Sequence, residues 1–362
     1  MLSRIRRLIA APLFFVLLSS AFAVAAAAES PDETTDEVVA LNNQGVEYFK
    51  SHQYVAAIEL LKKAIQLRPD LSRTHYNLGC VYQAEGDFPP ALDAFKEALR
   101  LDPTSIDVLH QLGLTSVQLK QYSEAVDYFK RALELEPDRV DTMSELAFAY
   151  SEEGSDQEAV ELCRQAVHLD PKNGQVFNNL GVAYFKLGHP SEAIEALEHA
   201  RNLQPDRAEI YYNLGCVYAD GGRIDEAVAL YRQALQLQPD YPEVLNNLGM
   251  AYISRGEHRT AIELLEQALR LSPDSAVTHY NLGYAFTKAG RQKQAIESYK
   301  KALQLKPDFA LAHQSLAIVY LQRGERSLAL QEYTLLKSID NELAQKLFLI
   351  IYKDKIINVR EH

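Results

Sequence analysis

The sequence predicts an all-α chain, an α-solenoid of two-helix hairpins, on three observations. A proline recurs every 34 residues, at Pro69, Pro103, Pro137, Pro171, Pro205, Pro239, Pro273 and Pro307. No single globular core requires such spacing, whereas a file of like units stacked on their neighbours does. Small residues fill fixed columns of that period, and larger apolar residues recur at steps of three and four, which is the spacing of one buried helix face.

The start of the chain reads differently from the rest. Residues 1–28 contain no acid; Arg4, Arg6 and Arg7 precede an apolar run from Leu8 to Leu18 and then small residues to Ala28, the layout of a secretory signal peptide. Small-x-small cleavage sites end at Ala23 and at Ala28, and Leu8 to Ala28 is also long enough to stay as an uncleaved anchor. Either way the repeats are expected to be exported, to the periplasm or the extracellular space. The inner membrane would be touched only through an uncleaved N-terminal segment. Residues 29–37, rich in Asp and Glu, read as a solvated acidic linker.

Placing the proline at position 32 of each unit sets nine repeats: 38–71, 72–105, 106–139, 140–173, 174–207, 208–241, 242–275, 276–309 and 310–343. Position 8 is Gly or Ala throughout, and position 20 is Ala in every unit, from Ala57 to Ala329. Such residues let two helix backbones approach, where a longer side chain would overpack the contact. The first helix buries Leu at position 7, except Gln44 in the first unit, and Tyr or Phe at position 11, except Ser116 in the third. Gly at position 15 in seven units, Gly154 and Gly188 among them, supplies the turn. The second helix buries Ala at 20, an aromatic residue, Leu or Cys at 24 and, in the first eight units, Ala at 27, until the proline at 32 stops it; the ninth unit has Leu336 and Asn341 at those two places. Residues 344–362 then form a capping helix and tail, with Leu347, Ile350 and Ile351 expected to cover the last hairpin. Phe348, Leu349, Tyr352 and Ile356 point elsewhere on that helix, an apolar face that would suit a homodimer.

These columns resemble the tetratricopeptide repeat family, whose pattern stands in segments such as His75 to Tyr82 and Phe177 to Tyr184. The resemblance covers residues 38–343. It implies a right-handed superhelix whose first helices line a concave groove, and a role as a protein-binding scaffold. Position 6, which looks into the groove in that family, is Asn43, Asn77, Asn179, Asn213, Asn247 and Asn281. An amide offers a donor and an acceptor, so such a row suits the backbone of an extended peptide. The row is similar to the asparagine ladder in the superhelical arm of O-linked N-acetylglucosamine transferases; Gln111, Glu145 and Ser315 interrupt or end it. The basic residues of the clamp that chaperone cofactors close on C-terminal carboxylates are missing. Asp107, Asp141, Glu209 and Glu243 instead stand at position 2, pointing to a neutral or basic ligand.

Charge and chemistry narrow the function further. With 37 basic and 49 acidic residues the net charge is −12, which disfavours nucleic acid as a partner. The three cysteines read as buried free thiols, because Cys80 and Cys216 share one repeat position four units apart. His75, His279 and His313 share position 4, where sister repeats carry apolar or aromatic residues, and read as interface fillers. No catalytic constellation, cofactor loop or metal spacing stands out, so the chain is read as non-enzymatic, without cofactor or metal. Two alternatives stay open: a separate targeting subunit of a glycosyltransferase, and a membrane-anchored envelope assembly factor.

Overall fold

A computed structural model describes residues 33–352 and turns the sequence period into a strict alternation of helices. The described residues fall into two units, one ending at Leu203 and the other starting at Gln204. The N-terminal unit holds α1 (Glu33–Lys50), α2 (Tyr54–Leu67), α3 (Ser72–Glu85), α4 (Phe88–Leu101), α5 (Ile106–Gln118), α6 (Tyr122–Leu135), α7 (Val140–Glu153), α8 (Asp156–Leu169), α9 (Gly174–Leu187) and α10 (Pro190–Leu203). The C-terminal unit holds α11 (Ala208–Asp220), α12 (Ile224–Leu237), α13 (Pro242–Ser254), α14 (His258–Leu271), α15 (Ala276–Lys288), α16 (Gln292–Leu305), α17 (Ala310–Gln322), α18 (Arg326–Ile339) and α19 (Asn341–Ile351). Among the described residues there is no strand, and no helix is long and apolar enough to cross a membrane. The signal segment lies outside the described residues. One difference from expectation is that α1 begins at Glu33, inside the segment read as linker, so that Asp36 and Glu37 lie in its early turns, where carboxylates favour a helix.

Seven of the nine hairpins close on one steric match. A Cβ added at Gly113 would stand 2.4 Å from the Phe129 ring, and one added at Gly215 2.5 Å from the Tyr231 ring. Glycine at position 8 therefore makes the space that the position 24 side chain fills. Repeat four inverts the pair: Ala147 faces the small Cys163, and both are buried.

The turn between helices is set by backbone handedness. All nine residues at position 15 have positive φ, seven of them glycine, such as Gly154 at 95°, and two of them not, His52 at 58° and Lys120 at 59°. The following N–H reaches back to the position 11 carbonyl, as in Asp87 to Tyr82 at 2.9 Å and Gln121 to Ser116 at 2.8 Å, which satisfies the helix end. Every second helix runs from position 17 to position 30; in the first eight repeats it stops before the residue preceding proline, whose α conformation the ring disfavours, while α18 stops at the same position ahead of Asn341.

The proline carbonyls acquire a donor that the sequence reading missed. His75, His279 and His313 present Nε2 to the carbonyls of Pro69, Pro273 and Pro307 at 2.9, 3.0 and 2.9 Å, and Tyr211 donates its hydroxyl to Pro205 at 2.9 Å. Position 4 is thus a polar tie across the inter-repeat loop as well as a filler. The terminal helix also corrects an expectation: α19 buries Leu343, Ala344, Leu347 and Ile351, while Ile350 is 47% exposed beside Phe348 and Leu349. At 100° per residue Ile350 turns away from the face that Leu347 and Ile351 share.

Candidate functional site

Since position 8 faces the second helix, helical geometry turns positions 2, 6, 9 and 13 of the first helix away from it. That outward face is where a ligand could lie. The structure shows what its asparagines already do. Asn77 donates from Nδ2 to Asn42 Oδ1 at 2.9 Å. Asn179 donates to the Ser144 carbonyl at 3.0 Å and its hydroxyl at 3.1 Å, and accepts from Gln175. Asn281 donates to Asn246 Oδ1 at 2.9 Å, and Asn247 to the Tyr212 hydroxyl at 3.3 Å. In each case a position 6 amide reaches position 5 of the preceding repeat, so the row braces neighbouring first helices.

Exposure divides the six residues. Asn77, Asn179, Asn213 and Asn281 are buried, Asn43 is exposed and Asn247 is half-buried. Asn42, next to Asn43, is the buried member of that pair and carries the bond to Asn77. In the C-terminal unit the bonds join up: Asn281 donates to Asn246, Asn246 to Asn247, and Asn247 to Tyr212, with Cys216 Sγ also 3.5 Å from Asn247 Nδ2. Asn246 was not among the residues expected from sequence. It is half-exposed, and its bonds to Asn247 and Asn281 use one N–H and one oxygen lone pair, leaving another of each. The signal for it was present in the Asn-Asn pairs at positions 5 and 6, at residues 42–43, 178–179 and 246–247.

The interruptions in the row are polar. Gln111 is buried with no hydrogen-bond partner for Oε1, and the buried Ser116 hydroxyl is likewise unpaired. Gln83 Nε2 lies 3.4 Å from Thr115 Oγ1, at the edge of hydrogen-bond range. Beside them His110 meets Thr142 Oγ1 at 2.9 Å, and burial, with the Arg139 charge adding to it, pushes the imidazole pKa down to about 4.

The thiols suit a packing role. All three cysteines are free and buried, and burial raises Cys80 and Cys163 to about 12, which leaves them un-ionised. Tyr212 and Tyr231 are held protonated by burial around Cys216. Among the described residues no cluster of His, Cys, Asp or Glu has the arrangement to hold a metal ion.

Comparison with known proteins agrees with this architecture. The profile of the cilia and flagella-associated protein 70 C-terminal domain matches residues 105–289, a tetratricopeptide repeat profile matches residues 36–104, and a TPR repeat profile matches residues 283–324. Among solved structures the chain is similar to the APC/C hetero-tetramer Cut9-Hcn1, at 17% identity over 88% of this chain and 84% of that one, with a TM-score of 0.55. It is similar to a monomeric IFIT1 mutant with Gppp-AAAA, at 18% identity over 90% and 83% of the two chains, TM-score 0.63. A tetratricopeptide repeat protein from Parabacteroides merdae aligns at 16% identity over 68% of this chain and 98% of its own, TM-score 0.56. At such identities the likeness is one of fold. No curated protein matches the chain.

Proposed function

The chain belongs to the tetratricopeptide repeat family, and on that premise we propose that it is a non-enzymatic, exported scaffold of the cell envelope holding an extended segment of a partner protein against its first helices. The observation that carries the reading is Asn246, a half-exposed amide with a donor and an acceptor to spare, held in place by Asn281 of the next first helix and by Asn247 of its own, which in turn reaches Tyr212 of the preceding one. A backbone segment lying along that face would find its hydrogen bonds preorganised. Export rests on residues 1–28. N-terminal sequencing of the mature chain separates a cleaved protein from an anchored assembly factor.

The test is capture of partners by the full chain from an envelope extract, comparing Asn246→Ala with Asn42→Ala. Both remove a position 5 acceptor for the next repeat, but Asn42 is buried. Weaker capture by the first variant alone supports the amide contact. Equal capture by both variants and the unaltered chain refutes it, and no protein enriched over bare beads refutes the scaffold. A copy-to-copy contact through α19 is a second reading, favoured by exposed Phe348 and Leu349. Light scattering of the full chain against Leu349→Asp decides it.

A further inference from the structure

The first helices of the C-terminal unit carry an apolar shelf. At position 9 of the N-terminal unit Val46, Cys80, Leu114 and Phe148 are buried, leaving only Val182 partly exposed. In the C-terminal unit that column starts with the buried Cys216, but from α13 onward Met250, Tyr284 and Ile318 hold it and are partly exposed, as are Val277 and Leu311 at position 2. On α17 apolar residues lie on opposite sides: Leu316 and Val319 are buried in the stack, while Leu311, Ile318 and Leu321 remain partly open. Covering such a shelf removes apolar surface from water.

Its edge is charged. Glu243, at position 2 of α13, has Oε2 out of contact with water and without a hydrogen-bond partner. A place in the first turn of a helix accounts for a carboxylate there. It does not account for a desolvated oxygen lacking a donor, which is costly until a donor arrives. The neighbouring Pro242 brings no N–H.

We propose that this face binds an extended segment of a partner protein in which a Lys or Arg is followed by apolar residues at every third position. The cation meets Glu243, and the apolar residues cover Met250, Tyr284 and Ile318. The spacing follows from first helices about 10 Å apart and about 3.3 Å per residue of extended chain. A net charge of −12 favours the same partner. This inference rests on the scaffold reading above and adds the chemistry of the bound segment.

The experiment uses the full chain and a fluorescent peptide with one Lys and Leu at the third, sixth and ninth residues after it, in a Ser and Thr background. Binding is expected to weaken about tenfold on Glu243→Gln, the scale of one charge-assisted hydrogen bond, while a Lys-to-Gln peptide is indifferent to that change. Ile318→Glu and Met250→Glu should abolish binding, with melting temperatures showing that the repeats stay folded. Equal binding of a peptide with Leu at every second residue, or retained binding by Ile318→Glu, overturns the proposal. So does self-association of the full chain that Ile318→Glu abolishes, because the occupant is then a second copy. If the peptide fails while a captured partner is lost on substitutions in the N-terminal unit, this inference falls and the scaffold stands.

Discussion

Replacing Gly113 by Ala isolates the contact that closes seven of the hairpins. The added methyl would lie 2.4 Å from Phe129 Cε1 and 2.6 Å from Cδ1 and Cζ, well inside the 3.5–4.0 Å at which carbons rest. Phe129 is fully buried against Leu114, Val117 and Leu146, so its ring has no free direction of retreat. Overpacking of this kind costs about 1–3 kcal/mol, from which roughly 1 kcal/mol is recovered because Ala suits a helix interior better than Gly. A net loss of up to about 2 kcal/mol is expected. Phe129→Cys alone opens a cavity and should cost about 3 kcal/mol. Together the two changes recreate the Ala147 and Cys163 pair of repeat four, so the double variant should be about 1–3 kcal/mol more stable than the sum of the singles. Urea unfolding, with amide exchange in α5 and α6 to locate the effect, measures the cycle. Additivity within about 0.5 kcal/mol, or a stabilising Gly113→Ala, would refute the steric account.

Lys120→Gly should stabilise the N-terminal unit by about 0.5–1 kcal/mol in urea unfolding, because its φ of 59° costs a side chain more than glycine's extra freedom in the unfolded chain returns. His52→Gly should gain less, since it also gives up the 3.0 Å contact of His52 with the Tyr54 hydroxyl. His110, with a folded pKa near 4 against about 6.5 unfolded, binds its proton preferentially in the unfolded chain, so the N-terminal unit loses up to about 3 kcal/mol as pH falls from 6.5 to 4. His110→Gln should remove that part of the acid sensitivity, read as the difference between the two urea midpoints at pH 7 and pH 4.5. His313 behaves oppositely: Glu332 at 2.6 Å and the Pro307 carbonyl at 2.9 Å face its two ring nitrogens and together outweigh the effect of burial, so its pKa is raised. Its stabilisation is complete below about pH 6.5 and is lost as pH rises through the raised value. Nuclear magnetic resonance titration should place it above the unfolded value, and Glu332→Gln should bring it down.

The repeat period, the glycine columns and the left-handed turn could be read from the chain because each is a demand made within one hairpin and repeated in every copy. The position 8 and position 24 match is of this kind. So is position 15, where the two non-glycine residues adopt the same backbone as their seven sisters. What stayed hidden crosses between repeats. A position 6 amide finds its partner 35 residues back, among position 5 residues as different as Asn42, Ser144, Tyr212 and Asn246. No column alignment displays that pairing, because donor and acceptor sit in different columns. The same holds for position 4, whose histidines tie to a proline carbonyl that sequence records only as a helix stop.

An amide row that braces its own scaffold cannot also serve in full as a ligand ladder, and counting hydrogen-bonding groups decides how the work divides. Asn247 directs its nitrogen toward both Tyr212 and Cys216 and gives its oxygen to Asn246, so little is left for a ligand beyond one lone pair. Asn246 keeps an N–H and a lone pair, together with access to solvent. Peptide pairing is therefore expected where the chain places asparagine at position 5 in an open stretch, and bracing where position 6 is sealed. Because the bonds from Asn281 through Asn246 and Asn247 to Tyr212 polarise one another, a ligand carbonyl on Asn246 would also tighten the packing of α13 between α11 and α15. Amide exchange in those three helices should then slow on peptide binding.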